Sequence, residues 1–245
     1  MKRSPEASAA DRRVATLLVR HDLDPAQGAR LCRFLAVLAD NPHAPTSVRD
    51  PAAAVDVHLA DSLAGLPVLD EVLCGGAPPR AVDIGSGAGL PGIPLAVARA
   101  GVHFDLTEAT GRKCQFLVET VQAVEVHNAE VRCARVEELP GQGLRETHGV
   151  AVARAVAPLA TLVEYAAPLL VQGGTLIAWK GRRDRAEEEA GASAARQVGL
   201  EPAHVQPVRP YEESRNRHLY LYRKVRACPP RFPRRAGTAR RRPLA

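Results

Sequence analysis

The sequence predicts an α/β fold built on a mostly parallel sheet, and three observations support this expectation. From residue 81 onward, short apolar runs alternate with helix-like runs, a pattern typical of parallel strands joined by helical crossovers. A glycine-rich turn separates the first of these strands from its helix. The last two strand-like runs lie too close together for a crossover, so they should pair antiparallel. We therefore expect a parallel sheet with a C-terminal antiparallel hairpin, preceded by an N-terminal helical extension.

The N-terminal extension contains two helix start signals of the same kind. Asp24-Pro25 and Asp50-Pro51 each place a capping carboxylate before a proline, which suits the first helical position. Residues 41–45, which contain two prolines, should end the first helix before the second begins. The first helix carries an apolar stripe of Leu31, Phe34, Leu35 and Leu38, and the second carries near one face Val55, His58, Leu59, Ser62 and Leu63. Each helix therefore has one side suited to burial.

The segment 74–79 is rich in glycine and proline and is the expected boundary between the extension and the sheet. Beyond it, strands are expected at residues 81–84, 104–107, 130–133, 150–153 and 175–179. Helices are expected at residues 91–100, 111–123, 158–170 and 184–198. The closing strands should lie around Val205 and at 219–225, with only a turn between them. The predicted domains are the extension at residues 1–78, the sheet domain at residues 79–226 and a basic tail at residues 227–245.

The length and composition limit the class of protein. At 245 residues the chain is long enough for one domain with an extension. No apolar run approaches the ~20 residues that span a bilayer, and residues 1–6 lack the apolar segment of a signal peptide. We therefore expect a cytoplasmic protein with no membrane partner. The five cysteines are odd in number and lack metal-ligand spacing, so we expect reduced thiols and no metal site.

The charge of the chain is concentrated at its C-terminal end. Residues 223–245 contain nine arginines and lysines and no acid, whereas the whole chain has 33 basic and 27 acidic residues. The remainder is therefore slightly acidic, and the tail alone makes the protein basic. A basic segment with four prolines and one aromatic residue suits the phosphate backbone of RNA or DNA. A solvated end that aids solubility is the alternative interpretation.

The most informative stretch is Asp-Ile-Gly-Ser-Gly-Ala-Gly-Leu-Pro-Gly, which begins at Asp83. Gly85, Gly87 and Gly89 would let the backbone approach a ligand closely. The nicotinamide pattern requires a glycine where Leu90 stands, which disfavours an oxidoreductase. Asp83 lies at the carboxyl end of the strand, where its carboxylate could hold the ligand's amino group. The arrangement is typical of the S-adenosylmethionine loop of Rossmann-like class I methyltransferases; an ordinary strand-to-helix turn is the alternative.

Three charged residues follow other strands along the same expected edge of the sheet. Glu108 ends the second strand and could accept hydrogen bonds from both ribose hydroxyls of a nicotinamide cofactor or of S-adenosylmethionine. Glu137, which with Val136 follows the third strand, could face the adenine region. Arg154 ends the fourth strand and could face the ligand's acidic end or a substrate phosphate. For Glu108 an exposed strand-end glutamate is the alternative. Glu137 and Arg154 taken alone are more typical of surface charges, but the shared edge favours a common pocket.

His58 and Asp61 lie three residues apart on the second helix and therefore share a face. They could form a metal-binding or catalytic pair, but a packing hydrogen bond is the favoured interpretation. The sequence has no nucleophile-elbow pattern, and we assign no residue as a catalytic acid or base.

With these residues in place, the chain resembles the bacterial ribosomal RNA small subunit methyltransferase G family, also called glucose-inhibited division protein B. The resemblance covers nearly the whole chain, and its strongest part is the signature at residues 83–96. Further matching motifs follow in order: Thr46-Ser-Val-Arg-Asp-Pro51, His58-Leu-Ala-Asp-Ser62, Gly111-Arg-Lys-Cys-Gln-Phe-Leu117, Arg135-Val-Glu-Glu138, Arg154-Ala-Val-Ala157, Lys180-Gly181 and the basic ending at residues 230–237. One departure occurs, because a family asparagine and leucine align with Ala44 and Pro45.

The resemblance implies methylation of N7 of one guanine in the decoding-centre loop of 16S ribosomal RNA. It implies S-adenosylmethionine as methyl donor without a metal, contacted by Gly85, Leu90, Val136, Glu137 and Arg154. Positions that match residues suited to the RNA or the catalytic pocket are His58, Arg112, Lys113, Lys180 and Arg217. The expected partner is 16S ribosomal RNA or the small ribosomal subunit, and we expect a monomer. A small-molecule methyltransferase and a non-enzymatic RNA-binding protein remain the alternatives.

Overall fold

The computed structural model describes residues 8–48 and 50–244, and its centre is a seven-stranded sheet. The strands are β1 (Arg80–Ile84), β2 (His103–Thr107), β3 (Ala129–Arg132), β4 (His148–Arg154), β5 (Leu170–Lys180), β6 (Leu200–Val208) and β7 (Arg217–Lys224). They lie in the order β3-β2-β1-β4-β5-β7-β6. The first five pair in parallel, and β7 pairs antiparallel with both β5 and β6. The predicted parallel sheet with its C-terminal antiparallel hairpin is confirmed.

The helices of the sheet domain cover both faces of the sheet. They are α6 (Gly92–Ala98), α7 (Gly111–Val124), α8 (Leu159–Ala166) and α9 (Arg185–Val198), with a 3₁₀ helix at Val136–Gln142 and a short α10 (Thr238–Arg241) in the tail. The largest differences from the expected boundaries lie around β5 and in the hairpin. Helix α8 ends four residues early because the chain must turn before β5, which begins already at Leu170. The hairpin strands are joined by residues 209–216, a longer connection than the expected turn.

The N-terminal helices precede the sheet, as the start signals predict. They are α1 (Ala9–His21), α2 (Pro25–Asp40), α3 (Pro51–Ala54), a π-helical stretch at Val55–Ala60, α4 (Asp61–Leu63) and α5 (Leu66–Cys74). Asp24 caps α2 through a capping box with Gln27, and Asp50 caps α3. The helical stretch Pro51–Cys74 has the length and composition of a membrane span, but 67% of its most apolar window is buried inside the protein, as in a core helix.

Two hydrophobic clusters lie on opposite faces of the sheet. The first joins the N-terminal helices to the sheet, because Phe34 of α2 and Leu59 of the π-helical stretch pack in one cluster with Phe104 of β2. The second joins α8 and α9 to the other face and also contains Phe232 and Ala239 of the tail. The extension and the tail are therefore packed onto the sheet domain. The predicted domain boundaries, after residues 78 and 226, both fall in loops. The division into three domains stays a prediction.

Candidate active site

A cavity of about 610 Å³ opens at the carboxyl ends of β1, β2 and β4. It lies where the strand order reverses, which is the usual ligand position in open parallel sheets. Nine of the fourteen residues that the sequence singles out line this cavity: His58, Gly85, Gly87, Leu90, Glu108, Lys113, Val136, Glu137 and Arg154. The tertiary structure thus brings together residues that lie almost a hundred positions apart.

The glycine loop between β1 and α6 forms the floor of the cavity. Gly85 and Gly87 have φ angles of +69° and +57°, which side chains rarely adopt. The amide of Gly85 donates to Thr107 Oγ1 (3.1 Å), and that hydroxyl donates to the carbonyl of Asp83 (2.8 Å). A Cβ on Gly85 would come within 2.9 Å of the side chain of Val156. Only glycine therefore fits at this point of the loop, and its lack of a side chain leaves space for a ligand.

Gly89 and Asp83 stand behind the loop and do not line the cavity. A Cβ on Gly89 would meet Ile93 Cδ1 at 2.4 Å, so this glycine allows close packing of α6. Asp83 is fully buried, and its Oδ2 accepts the Gly92 amide (3.1 Å). Among the described residues its Oδ1 has no hydrogen-bond partner, and burial raises the pKa of Asp83 to about 7. The carboxylate therefore keeps an acceptor oxygen behind the loop, outside the lining of the cavity.

Glu108 follows β2 and lines the second wall of the cavity. It is 8% exposed, and its Oε1 accepts the backbone amide of Thr110 at 2.8 Å. Lys113, one turn into α7, lines the same wall, whereas its neighbour Arg112 is exposed and outside the cavity. A carboxylate held in this way at a strand end can accept hydrogen bonds from vicinal hydroxyls.

The third wall combines the 3₁₀ helix after β3 with the C-terminal tail. Val136 and Glu137 lie at the start of that helix, and Glu137 Oε1 accepts the backbone amide of Gly237 at 2.7 Å. Gly237 and Arg240 line the cavity beside them, and so does Tyr165 of α8. The tail therefore forms part of the cavity wall, which its basic composition did not indicate.

The fourth wall is organised by Asp61. Its Oδ2 accepts a hydrogen bond from Arg154 Nη1 at 2.8 Å, and Arg154 also donates to the carbonyl of Val57 (3.0 Å). Arg217, at the start of β7, lies 3.7 Å from Asp61 Oδ1 but does not line the cavity. The indole nitrogen of Trp179 donates to the Asp61 carbonyl at 2.8 Å. Asp61 thus fixes the guanidinium that faces the cavity.

His58 lines the cavity near Arg154 and is only 5% exposed. Its Nε2 lies 2.9 Å from Thr46 Oγ1, and its buried Nδ1 has no hydrogen-bond partner in the part of the chain that the structure describes. Burial, followed by the nearby charge of Arg154, lowers the pKa of His58 to about 4. The imidazole is therefore neutral at pH 7. His58 and Asp61 each bond to a different partner, which agrees with a packing role for both rather than a pair.

Lys180 ends β5 outside the cavity. Its Nζ donates to the Ala157 carbonyl at 3.0 Å and to Glu187 Oε1 at 2.5 Å. It lines a separate, smaller pocket together with the tail residues Pro243 and Leu244. In this arrangement Lys180 holds the loop after β4 in place.

Several cavity residues were not singled out from the sequence. They are Pro45, Thr46, Ser86, Thr110, Arg135, Tyr165, Gly237 and Arg240. Thr46 begins the motif that includes Asp50-Pro51, so the motif itself was the available signal. Ala44, at the family asparagine position, is buried beside these residues and is 7% exposed. Gly237 ends the matched basic motif at residues 230–237, but that motif did not indicate a place in the cavity, because the position of the tail depends on how the chain returns to the sheet.

The strand order and the loop at its switch point define a Rossmann-like class I methyltransferase. Among solved structures, an antibiotic-resistance methyltransferase, Kmr, aligns with a TM-score of 0.51 at 18% identity, covering 65% of this chain and 92% of that one. A mutant of MtNAS in complex with S-adenosylmethionine aligns with a TM-score of 0.52 at 15% identity, covering 88% and 76% of the two chains. At these identities the likeness concerns the fold.

The sequence relationship is closer and identifies the family. The family model for rRNA small subunit methyltransferase G matches residues 28–219. The ribosomal RNA small subunit methyltransferase G of Chloroflexus aggregans is 41% identical over 202 residues, covering 81% of this chain and 82% of that protein. The protein of the same name from Rubrobacter xylanophilus is 36% identical, with coverages of 80% and 75%. The chain belongs to the rRNA small subunit methyltransferase G family, as its resemblance predicted.

Proposed function

We propose that this protein transfers a methyl group from S-adenosylmethionine to N7 of a guanine in the decoding-centre loop of 16S ribosomal RNA. The observation that carries the proposal is one cavity in which the Gly85 loop, Glu108 and Glu137 meet the wall formed by His58 and Arg154. One half of this cavity suits an adenosyl group and an amino acid, and the other half remains for a base. The names of the matching relatives support ribosomal RNA as the substrate.

The residues around the loop fit S-adenosylmethionine. The positive φ of Gly85 and Gly87 gives the backbone a close approach, and Oδ1 of Asp83 is a buried acceptor without a partner. Glu108 would accept hydrogen bonds from the ribose hydroxyls, and Glu137 with Val136 would adjoin the adenine. A volume of about 610 Å³ is within the range of ordinary ligand pockets. Leu90 adds an apolar surface to the same site.

S-adenosylmethionine, when bound, supplies an electrophilic methyl that guanine N7 can accept as the carbon–sulfur bond breaks and sulfur keeps the electron pair. Because N7 has a free lone pair, the protein need not remove a proton before transfer. The absence of an assigned acid–base pair therefore agrees with this chemistry. The work of the walls is to hold the base in line with the methyl group and to exclude water.

The RNA would enter beside the wall that contains His58 and Arg154, with Lys113 on the wall of Glu108 also in reach. The neutral imidazole of His58 can hydrogen-bond a base edge without adding charge, and its Nδ1 has no partner among residues 8–48 and 50–244. Arg154 is held by Asp61 and presents a fixed cation, while Lys113 can reach a phosphate. A base in a loop would be unstacked to enter, because single-stranded RNA is read through exposed edges. Arg112 and Arg217 lie outside the cavity and would act on the surrounding RNA.

We infer that no metal takes part and that the protein acts as a cytoplasmic monomer without a membrane. In the described residues, His103, Asp105 and Glu130 place possible metal ligands within 4.8 Å of one another. Asp105, however, already accepts hydrogen bonds of 2.8 Å from both Arg80 and Arg132. Two cations at one carboxylate disfavour a bound metal ion. Methyl transfer should therefore continue in the presence of EDTA, and size-exclusion chromatography should give a mass near 26.2 kDa.

The test is methylation with labelled S-adenosylmethionine and three acceptors: naked 16S ribosomal RNA, assembled small subunits and a metabolite mixture. We expect label in RNA at one guanine, with N7 identified by cleavage of the methylated strand and by mass spectrometry. RNA from a strain that lacks the modification is the substrate, and fully modified RNA is the matched control. Comparison of naked RNA with small subunits also identifies the preferred form.

Three results would contradict the proposal. Transfer to a metabolite but not to RNA would indicate a small-molecule methyltransferase. Tight RNA binding without any transfer, and without affinity for S-adenosylmethionine, would indicate a non-enzymatic RNA-binding protein. Label at a ring position other than N7 would retain the enzyme class but overturn the site of methylation.

A further inference from the structure

The C-terminal tail folds back onto the protein and reaches the cavity. Phe232 is 3% exposed and Ala239 is 1% exposed, and both belong to the hydrophobic cluster around α8. The hydroxyl of Thr161 donates to the Ala239 carbonyl at 3.2 Å, and Arg145 donates to the Phe232 carbonyl. The tail is therefore a packed element of the sheet domain over most of its length.

A buried ion pair fixes the direction of this segment. Arg234 donates from Nε to Glu164 Oε1 at 2.8 Å and from Nη2 to Oε2 at 2.5 Å, a two-point contact with a buried carboxylate. The backbone amide of Arg234 also donates to Glu164 Oε1 at 3.2 Å. This arginine is used inside the protein and is not a free phosphate ligand. Beyond it, the chain is directed toward the 3₁₀ helix after β3.

Two tail groups then meet the cavity at its adenine end. The amide of Gly237 donates to Glu137 Oε1 at 2.7 Å, and the side chain of Arg240 lines the cavity. Tyr165 of α8, which lines the cavity with them, is 7% exposed. Burial and then the charges of Glu137 and Glu164 raise the pKa of Tyr165 to about 12, so its hydroxyl stays protonated. All these groups lie on the wall of Glu137 rather than on the wall of His58 where the RNA is expected.

We propose that the tail is a structural part of the cofactor site, in which Gly237 holds Glu137 and Arg240 contacts the adenosyl half of S-adenosylmethionine. The inference rests on the proposed function for the identity of the ligand. It differs from the interpretation of the tail as an RNA-binding arm or a solubilising end, because it assigns Arg240 to the cofactor and Arg234 to the protein interior. The guanidinium offers hydrogen-bond donors and a planar face that an adenine can stack against.

The test compares two arginines of the same tail. Arg240→Gln removes the cation that lines the cavity, and Arg235→Gln makes the same charge change at an exposed residue outside it. Calorimetry without RNA should give an affinity for S-adenosylmethionine and S-adenosylhomocysteine that falls about 5- to 20-fold in Arg240→Gln, the loss expected for a charged contact. The affinity of Arg235→Gln should stay within about twofold of wild type. Thermal unfolding of both variants checks that each is folded.

The outcomes separate this inference from the proposed function. Unchanged cofactor affinity in Arg240→Gln, or an equal loss in both variants, would overturn the assignment of Arg240. An equal loss of RNA affinity and of its salt dependence in both variants, with cofactor binding unaltered, would restore the tail as an RNA-binding arm. Wild-type protein that binds S-adenosylmethionine but methylates no ribosomal RNA would refute the proposed function while the tail assignment stands, because the assignment is measured on cofactor binding alone.

Discussion

Asp61 Oδ2 and Arg154 Nη1 lie 2.8 Å apart across 93 residues of chain, joining the N-terminal extension to the end of β4. Both side chains are largely buried, with exposed fractions of 9% and 16%. Asp61 therefore orients the guanidinium that faces the cavity. The pair also explains why the extension belongs to the site, because without it Arg154 would lose its carboxylate partner.

The first prediction concerns this pair. Asp61→Ala should lower kcat/KM for RNA methylation by roughly 10- to 100-fold, because Arg154 keeps its charge but loses the group that orients it. It should also reduce the free energy of unfolding by about 3 kcal/mol, since an unpaired cation is left in a partly buried place. Asp61→Asn retains an acceptor and should lose less on both measures. Equal activity of Asp61→Ala and wild type would show that Arg154 is oriented by other contacts.

The second prediction concerns the glycine loop. Gly85→Val should reduce the affinity for S-adenosylmethionine by more than about 100-fold, because the residue has a positive φ and its side chain would meet Val156. Gly101→Ala is the matched control, since it is exposed and a Cβ there has no neighbour within 4 Å. Calorimetry measures both. Unaltered affinity in Gly85→Val, with a folded protein, would place the ligand elsewhere.

The third prediction concerns the pH dependence of stability through Asp83. Its folded pKa of about 7 lies above the unfolded value, so the folded state binds the proton more tightly. The stability from this group is complete below about pH 4, is lost progressively as the pH rises to about 7, and is level above that. Asp83→Asn cannot ionise. The free energy of unfolding of wild type relative to Asp83→Asn should fall by about 1.4 kcal/mol between pH 6 and pH 8.5, as measured with urea. A constant difference would contradict the raised pKa.

The affinity for S-adenosylmethionine should depend on pH through Asp83 in the opposite direction to the stability. A bound amino group favours the ionised carboxylate, so the affinity of wild type for S-adenosylmethionine should weaken as pH falls below about 7. Asp83→Asn should bind more weakly at pH 8 and show a flatter dependence. Calorimetry in two buffers of different ionisation enthalpy would detect the released proton. If wild type and Asp83→Asn show the same pH profile, the amino group lies away from this carboxylate.

The fourth prediction concerns the anchor of the tail. Arg234→Gln should lower the free energy of unfolding by roughly 3 kcal/mol, because the buried carboxylate of Glu164 loses its charged partner. Arg235→Gln is the matched control and should change it by less than about 0.5 kcal/mol. Denaturant unfolding monitored through Trp179 provides the measurement. A similar, small effect of both variants would mean that the tail is not fixed by this ion pair.

The same anchors affect how deletion of the tail is interpreted. Removal of residues 227–245 would take away Phe232 and Ala239 and expose the apolar cluster around α8. A loss of RNA binding in that variant could then result either from unfolding or from a lost phosphate contact. Point variants in the tail separate the two effects and are the better experiment.

Most elements of the fold followed from the sequence because their signals are local. The alternation of apolar runs predicted β1 to β5 and the helices between them, and the carboxylates of Asp24 and Asp50 predicted two helix starts. The hairpin was less accurate. Strand β6 contains Pro202 and Pro207, which an edge strand tolerates but which weaken the sequence pattern of a strand. Its early start and the long connection after it were therefore missed.

The glycine loop could be predicted from the sequence, because Asp83, Gly85 and Gly87 are neighbours in the chain and their backbone requirements are local. The sequence also indicated the shared edge, since parallel strands bring Glu108 and Arg154 to one side of the sheet. The groups that surround these residues became known from the folded chain.

The contacts of Asp61 with Arg154 and of Gly237 with Glu137 cross 93 and 100 residues of chain. Neither contact repeats with the period of a helix or a strand, and no local pattern sets its partner. Each depends on how the N-terminal helices and the tail pack onto opposite faces of the sheet. The free energy of burying Leu59 on one face and Phe232 on the other holds those segments there, and the polar contacts follow from that packing.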